Sequence, residues 1–492
     1  MKYQFEIKNK DYQFQVVKFN SFEKISELYE YDIELISESE IDDILQKEAV
    51  FYMKYLNFED KINGIIIEFE EISKIDKFFY YKIKLVPKMY KLALNKDSEV
   101  FLNKSLIEIF EDILKQHMLS NKIDYEFRLV NEYEKREYVT QYLESDFNFL
   151  KRWCEKLGIY FYFEQNEKEK IVFIDNKYSQ KTFEHNYEIT YSPISGIEGD
   201  NIYKSIQEMK IIKKEGIKSV KIKDYNPNRP DYNLEVTAQI NKEGRDIYIY
   251  EEHFQSQKEG QALAQIIGES YDIEKEVFYI KSTIPNIYPA YNYLLTNYYK
   301  EKYNNKYYTV IEVKKEGSGD TFLNEEKVNI FISEFKIVDA NKQYRSLFKT
   351  SRPKIDGVLL AKIDGETEKI PYIDEEGRYK VIMPFITTQK ENGKASCWIR
   401  LLQPTGGGDK GFHFPLKKGS EIAVTFVHGN PDRPVILGAL PNPNNPNLVS
   451  LKNATQNIMQ SQKKMKIIFD DKEKNPSMTF SSHTGKSYIK IT

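Results

Sequence analysis

A mainly β fold with inserted helices is predicted by three observations. Apolar and polar residues alternate in short runs along most of the chain, as in "YQFQVVKF" and "YEYDIELIS", which is the two-residue period of strands packed on one face. Aromatic residues make up 14% of the sequence and sit beside many Ile and Val runs, a composition that suits pleated surfaces. Helical spacing appears in only a few stretches.

Residues 1 to about 95 read as strands: "QFEI", "YQFQVVKF", "YEYDIELIS", "GIIIEFEEI" and "FYYKIKLVP". A helix follows in "SLIEIFEDILKQHM", with Leu106, Ile107, Phe110, Ile113 and Leu114 at helical spacing. In "ESDFNFLKRWCEKLGIYFYFE", Ser145 or Asp146 can cap a second helix. Phe147, Leu150, Cys154 and Leu157 share one face of it, and Gly158 stops it. A strand begins at once with Ile159. Residues 170 to 335 are mostly strands, broken by one helix near "QKEGQALAQIIGESYDIEKE" with a solvated face. "NKQYRSLFKTSRPK" reads as a linker. The expected domains are 1–345, 346–448 and 449–492.

The middle domain has short strands and turns rich in Gly and Pro, as in a small Greek-key barrel. In "KKGSEIAVTFVHGNPDRPVILGAL", Ile422, Val424 and Phe426 alternate with polar or small neighbours. Gly429-Asn430 supplies turn chemistry, while Pro431 and Pro434 fix φ and withhold backbone donors. Asp432 and Arg433 sit where a carboxylate and a guanidinium can pair, clamping the corner or a neighbouring chain. Gly419 precedes the strand and Gly438 ends the next. "PNPNNPN" is a hinge. The tail beyond it alternates again through Met465, Ile467 and Phe469, then Met478 and Phe480, then Tyr488, Ile489 and Ile491. Three such short strands expose pairing edges and cannot hold a sheet alone, so association with other chains is expected. The pattern is still running at Thr492, which predicts either a short needle or a shortened one.

Net charge is −3 with lysines and acids interspersed, which argues against nucleic acid or an anionic membrane as the main partner. Cys154 and Cys397 are the two cysteines, too few for a disulfide framework. "MKYQFEIKNKDYQFQVVKF" has no apolar signal region, and no apolar run approaches the ~18 residues that span a bilayer. Synthesis in the cytoplasm, with any exit by a route that reads no signal peptide, is the expectation.

No catalytic constellation stands out. "TGGGDKGF" lacks the Lys-Ser/Thr ending of a phosphate loop and reads as a barrel loop. None of the six histidines falls at metal-ligand spacing, and no Gly-x-Ser-x-Gly elbow occurs. The Glu144-Ser145-Asp146 run is explained by helix capping without a glycosidase pair. No catalytic, cofactor or metal residue is expected.

"REYVTQYLESDFNFLKRWCEKLGIYFYFE" resembles the signature of the VgrG family, the spike proteins of type VI secretion systems, at Gln141, Tyr142, Glu144, Asp146, Phe149, Glu155, Gly158 and Ile159. "GFHFPLKKGSEIAVTFVHGNPDRPVILG" is similar to that family's OB-fold segment, including Gly419, Gly429, Pro431, Asp432, Arg433 and Pro434. The resemblance covers nearly the whole chain. It implies a tail-hub domain of β-barrels, an OB-fold barrel and the start of a trimeric β-prism or β-helix needle. It also implies a non-enzymatic homotrimer on the Hcp tube hexamer, with baseplate proteins, a PAAR tip and effectors as partners, which leaves the cell through the apparatus. A hub of another contractile particle or phage tail is the alternative, and a cell-wall hydrolase a more distant one. The short tail and the lack of an insert between hub and barrel depart from typical members and related phage spikes.

Overall fold

The computed structural model describes residues 1–42, 44–55, 58–180, 188–193, 205–319, 331–367, 370–386, 388, 390 and 392–492. The chain divides into two compact units. The first takes Met1–Asp97, Asn103–Arg136 and Leu143–Arg352; the second takes Ser98–Leu102, Glu137–Tyr142 and Pro353–Thr492.

The first unit is built on one large, mostly antiparallel sheet. Strands β1 (Lys2–Ile7), β2 (Gln15–Lys24), β3 (Glu30–Ser37), β4 (Glu48–Tyr55), β5 (Phe58–Ile75) and β6 (Phe78–Val86) order as β1-β4-β5-β6-β3-β2. The path continues through Lys306–Ser318, Phe331–Asp339, Glu276–Ser282 and Ile206–Lys213. Strict alternation decides which face each side chain takes: Tyr31, Ile33 and Leu35 of β3 and Tyr81, Ile83 and Leu85 of β6 all point into one core with Phe5, Phe19 and Phe51. A second core gathers Phe278, Tyr293, Tyr308, Val313 and Phe335. The two halves join where Lys315 pairs with Ser21, and the Lys315 ammonium is wholly buried 3.5 Å from Glu23 and 3.6 Å from Asp60. β4 escapes the alternation rule because Ala49, Val50 and Phe51 are buried in succession.

Helices α1 (Lys91–Leu94), α2 (Leu106–Gln116), α3 (Asp146–Leu157) and α4 (Gln257–Ile273) also lie in this unit. Ser105 and Glu108 form a reciprocal capping box on α2. Ser145, rather than Asp146, caps α3 by accepting from the Asn148 N–H at 3.1 Å. Gly158 closes α3 at φ +69°, and a Cβ there would meet Ile266 at 3.0 Å and Arg345 at 3.1 Å. α4 packs on the sheet of Ile217–Asp224, Leu234–Gln239 and Arg245–Tyr250.

The stretch expected to be a linker is instead strapped down. Tyr344 is buried with Tyr160 and Ile273. Arg345 Nη1 donates to the Gly158 and Asp175 carbonyls at 2.6 Å each, and Nε to Glu269 at 2.9 Å. Glu155 accepts from the Thr350 N–H at 3.1 Å and hydroxyl at 2.8 Å. A polar composition suggested slack chain; these inward-facing side chains prevent it.

The second unit contains a closed five-stranded barrel. Val381–Ile382 pairs with Leu359–Ile363, then Glu421–Phe426, then Pro434–Ala439. A parallel bridge from Leu401 to Ile436 and an antiparallel one from Ile399 to Tyr379 complete the ring, the arrangement of an OB fold. Its core holds Ile363, Tyr379, Val381, Ile422, Val424, Phe426 and Ile436, joined by Val100 and Tyr138. Those two come from a ladder of Lys96–Lys104 with Arg136–Ser145.

The tail forms an antiparallel meander of Gln456–Gln460, Lys466–Asp470, Ser477–Ser481 and Tyr488–Ile491. Alternation predicts the last three; the first is additional. The expectation that these strands lack pairing partners within one chain is not met, because each pairs with its sequence neighbour. What stays open is the outer edge of each terminal strand, Gln456–Gln460 and Tyr488–Ile491, and one face.

Candidate functional site

Three places matter, and the first two hold the motif residues. The first is the signature around α3. Gln141 is buried, and Tyr142 packs edge-on against Phe385 at 5.2 Å. Asp146, also buried, accepts from Asn95 Nδ2 at 2.8 Å and lies 2.7 Å from His117 Nε2, which ties α1, α2 and α3 at one carboxylate. Glu144 receives the Arg152 guanidinium through both carboxylate oxygens at 2.7–3.1 Å. Both acids of the Glu-Ser-Asp run are therefore bound to structural partners.

The second is the proline corner. Val427 N–H donates to the Arg433 carbonyl at 3.0 Å and Arg433 N–H to the Asn430 carbonyl at 2.9 Å. Asn430 Oδ1 accepts from the Asp432 N–H at 3.1 Å in the manner of an Asx turn. Gly429 turns the chain at φ +73°, and its carbonyl accepts from Ile355 N–H at 2.9 Å. Pro434 opens the following strand. The Asp432 carboxylate reaches the Thr140 N–H at 2.6 Å, while the Thr140 hydroxyl donates to the Pro431 carbonyl at 3.3 Å. The corner is thus stitched to the strand that carries Gln141 and Tyr142. Gly419, at φ +79° with open space around it, makes the turn into the central barrel strand.

Sequence reasoning missed Thr140, whose N–H and hydroxyl both reach the corner from 291 and 292 positions away, and it missed Glu99. That buried carboxylate accepts from Lys390 Nζ at 2.5 Å and from the Thr388 hydroxyl. An acid within an apolar run, "SEVFL", is the signal that could have found it.

The third place is the tail sheet. Register puts Met459, Ile467, Phe480 and Ile489 in one row, and Asn457, Phe469, Met478 and Ile491 in the next row of the same face. Seven of those eight are apolar, while the other face carries Gln456, Gln460, Lys466, Asp470, Ser477, Thr479, Ser481 and Lys490 with Ile458, Ile468 and Tyr488. Ile489 is 65% and Ile491 59% exposed. Phe414 of the barrel and this face line one open concavity of about 740 Å³.

Elsewhere the chemistry is quiet. Burial pushes the thiols of Cys154 and Cys397 up, Cys397 to about 12, so neither is a ready nucleophile. "TGGGDKGF" is an exposed hairpin, Gly406–Gly407 with Lys410–Gly411. Among the described residues no group of three His, Cys, Asp or Glu could hold a metal ion, and no helix is long and apolar enough to cross a membrane.

Comparison with known proteins matches this architecture. Residues 22–321 match the phage tail baseplate hub (GPD) family, and residues 365–440 the type VI secretion system/phage-baseplate injector OB domain. The chain is 27% identical over 467 residues to the type VI secretion system spike protein VgrG1b of Pseudomonas aeruginosa, covering 91% of this chain but only 61% of that relative's length. It is 27% identical over 459 residues to VgrG1a of the same organism, covering 89% and 69%. Among solved structures, the E. coli c3393 protein, a type VI component similar to the phage T4 tail proteins gp27 and gp5, aligns at TM-score 0.65 and 21% identity over 89% of this chain and all of that one. A chain of the Francisella PdpA–VgrG complex aligns at 0.60 and 12% over 95% and 80%. With the hub family matched over more than half of its residues, the chain belongs to the phage tail baseplate hub family, and it is similar along most of its length to type VI secretion spike proteins.

Proposed function

We propose that the protein works mechanically, as the homotrimeric tip that sits on the Hcp tube hexamer and is driven through a membrane by sheath contraction. The observation that carries this reading is the apolar face of the tail sheet. Seven exposed or half-exposed apolar side chains on one side of a four-stranded sheet are costly in water, and three copies turned inward would cover one another in a prism. The hub would be residues 1–345, the OB barrel 346–448 and the needle 449–492. In this reading Gln141, Tyr142, Asp146, Gly158 and the Gly419–Pro434 motif residues are structural, holding closed sheets rigid under load, and no step is catalytic. The chain would fold in the cytoplasm and leave with the tube, contacting baseplate proteins, and at a complete needle a PAAR tip and effectors. Light scattering on the purified chain tests it: three protomer masses are expected at micromolar concentration, and a monomer counts against it. A hub of another contractile particle is the second reading, favoured by the hub match itself; the tube protein that co-purifies separates the two.

A further inference from the structure

The hydroxyl of Tyr29 stands buried between two acceptors and carries one proton. Its oxygen is in hydrogen-bond contact with the Asn63 carbonyl and with Oε2 of Glu169. Two such oxygen–oxygen contacts need two hydrogens. Oε1 of Glu169 is already an acceptor for the Lys88 backbone N–H at 2.6 Å. The missing hydrogen therefore belongs on Oε2.

We propose that Glu169 is a protonated carboxylic acid in the folded hub, donating to Tyr29, which in turn donates to Asn63, and that this relay makes the seating of the 160–174 hairpin on β5 a proton-dependent latch. Ionising Glu169 removes one of the two hydrogens, so Tyr29 must abandon either the carboxylate or the carbonyl, and a buried oxygen is left facing another. The rest of the seat is pH-neutral: Asn63 donates to Gln165 Oε1 at 3.0 and 3.3 Å and to the Asn166 carbonyl at 3.2 Å, and Tyr29 meets Phe163 edge-on at 4.9 Å. The charged groups around the relay are few. The Lys88 ammonium is held by Glu48 at 2.6 Å and favours the carboxylate, while Asp124 opposes it, and Glu23 lies on the Tyr29 side. Burial outweighs them. Glu169 is 3% exposed, and that burial pushes its carboxyl up to about 7.

A folded-state value above the unfolded one means the latch is complete below the usual carboxylate range, weakens as pH rises toward 7, and changes no further above it. Glu169→Gln tests this in the full chain, because its amide N–H replaces the acid proton while Oε1 still accepts from Lys88. After correction for intrinsic base catalysis, amide hydrogen exchange across Glu169–Ile174 should show the wild-type opening constant rising roughly tenfold per pH unit between about 5 and 7, then levelling off. The Gln variant should stay flat. An equal pH slope in both proteins would overturn the proposal. A second measurement is independent of stability: the wild-type minus variant infrared difference at about pH 5.5 should contain a protonated-acid carbonyl band that titrates near 7. A carboxylate signal there instead would also overturn it.

Discussion

The Asp432 carboxylate accepts a hydrogen bond from the Thr140 backbone N–H at 2.6 Å, across 292 positions of sequence. It joins the proline corner of the barrel to the ladder strand that enters the same core through Tyr138. A motif that reads as a self-contained turn is a long-range fastener.

Asp432→Ala is expected to lower stability by about 1–3 kcal/mol, since it leaves a buried N–H without its acceptor. Asp432→Asn keeps an acceptor oxygen and should lose less. Chemical denaturation checks both, and an unchanged midpoint in the alanine variant would show the corner is held by its prolines alone.

Gly158→Ala should cost about 1–2 kcal/mol from the left-handed backbone. The cost grows if the Arg345 guanidinium, 3.1 Å from where the new methyl would sit, has to give up its two carbonyls. Comparing Gly158→Ala, Arg345→Ala and the double variant by urea unfolding will show non-additivity if the two share one clamp.

A Phe480→Lys/Ile489→Lys double variant places two charges on the apolar tail face. On the proposed trimeric reading, it should shift the light-scattering mass from three protomers toward one. Because the first unit keeps its own cores, the main unfolding transition should persist.

Lys156 should give stability a pH dependence opposite in sign to that of Glu169. Burial, followed by Arg352 and Arg136, holds the Lys156 ammonium at about 7 instead of 10.5. A depressed folded value means the charged form is penalised below about 7, so stability rises as pH climbs from there toward 10.5, by on the order of a few kcal/mol. Lys156→Met should remove that rise; urea midpoints at a series of pH values check it.

Much of this was legible locally. The alternation in "YEYDIELIS" places the buried residues of β3, and the capping residues and Gly158 bound α3 to within a residue. The tail's apolar rows follow from the same two-residue period. Illegible were β4, whose opening residues are buried without alternating, and the strap, whose polar composition hides that Tyr344 and Arg345 face inward. Asp432 was visible as a corner residue; its Thr140 partner was not.

By itself the sequence determined the class of fold, the helix ends, the turns and the amphipathic face of the tail, because each depends on residues within one or two turns or strands of one another. Only the tertiary structure decided that residues 98–102 and 137–142 join the barrel's unit, that Lys315 lies between two carboxylates, and that the Tyr29 hydroxyl meets both Glu169 and the Asn63 carbonyl. Those choices depend on which strand edges and side chains meet across long loops, and no local period encodes that meeting.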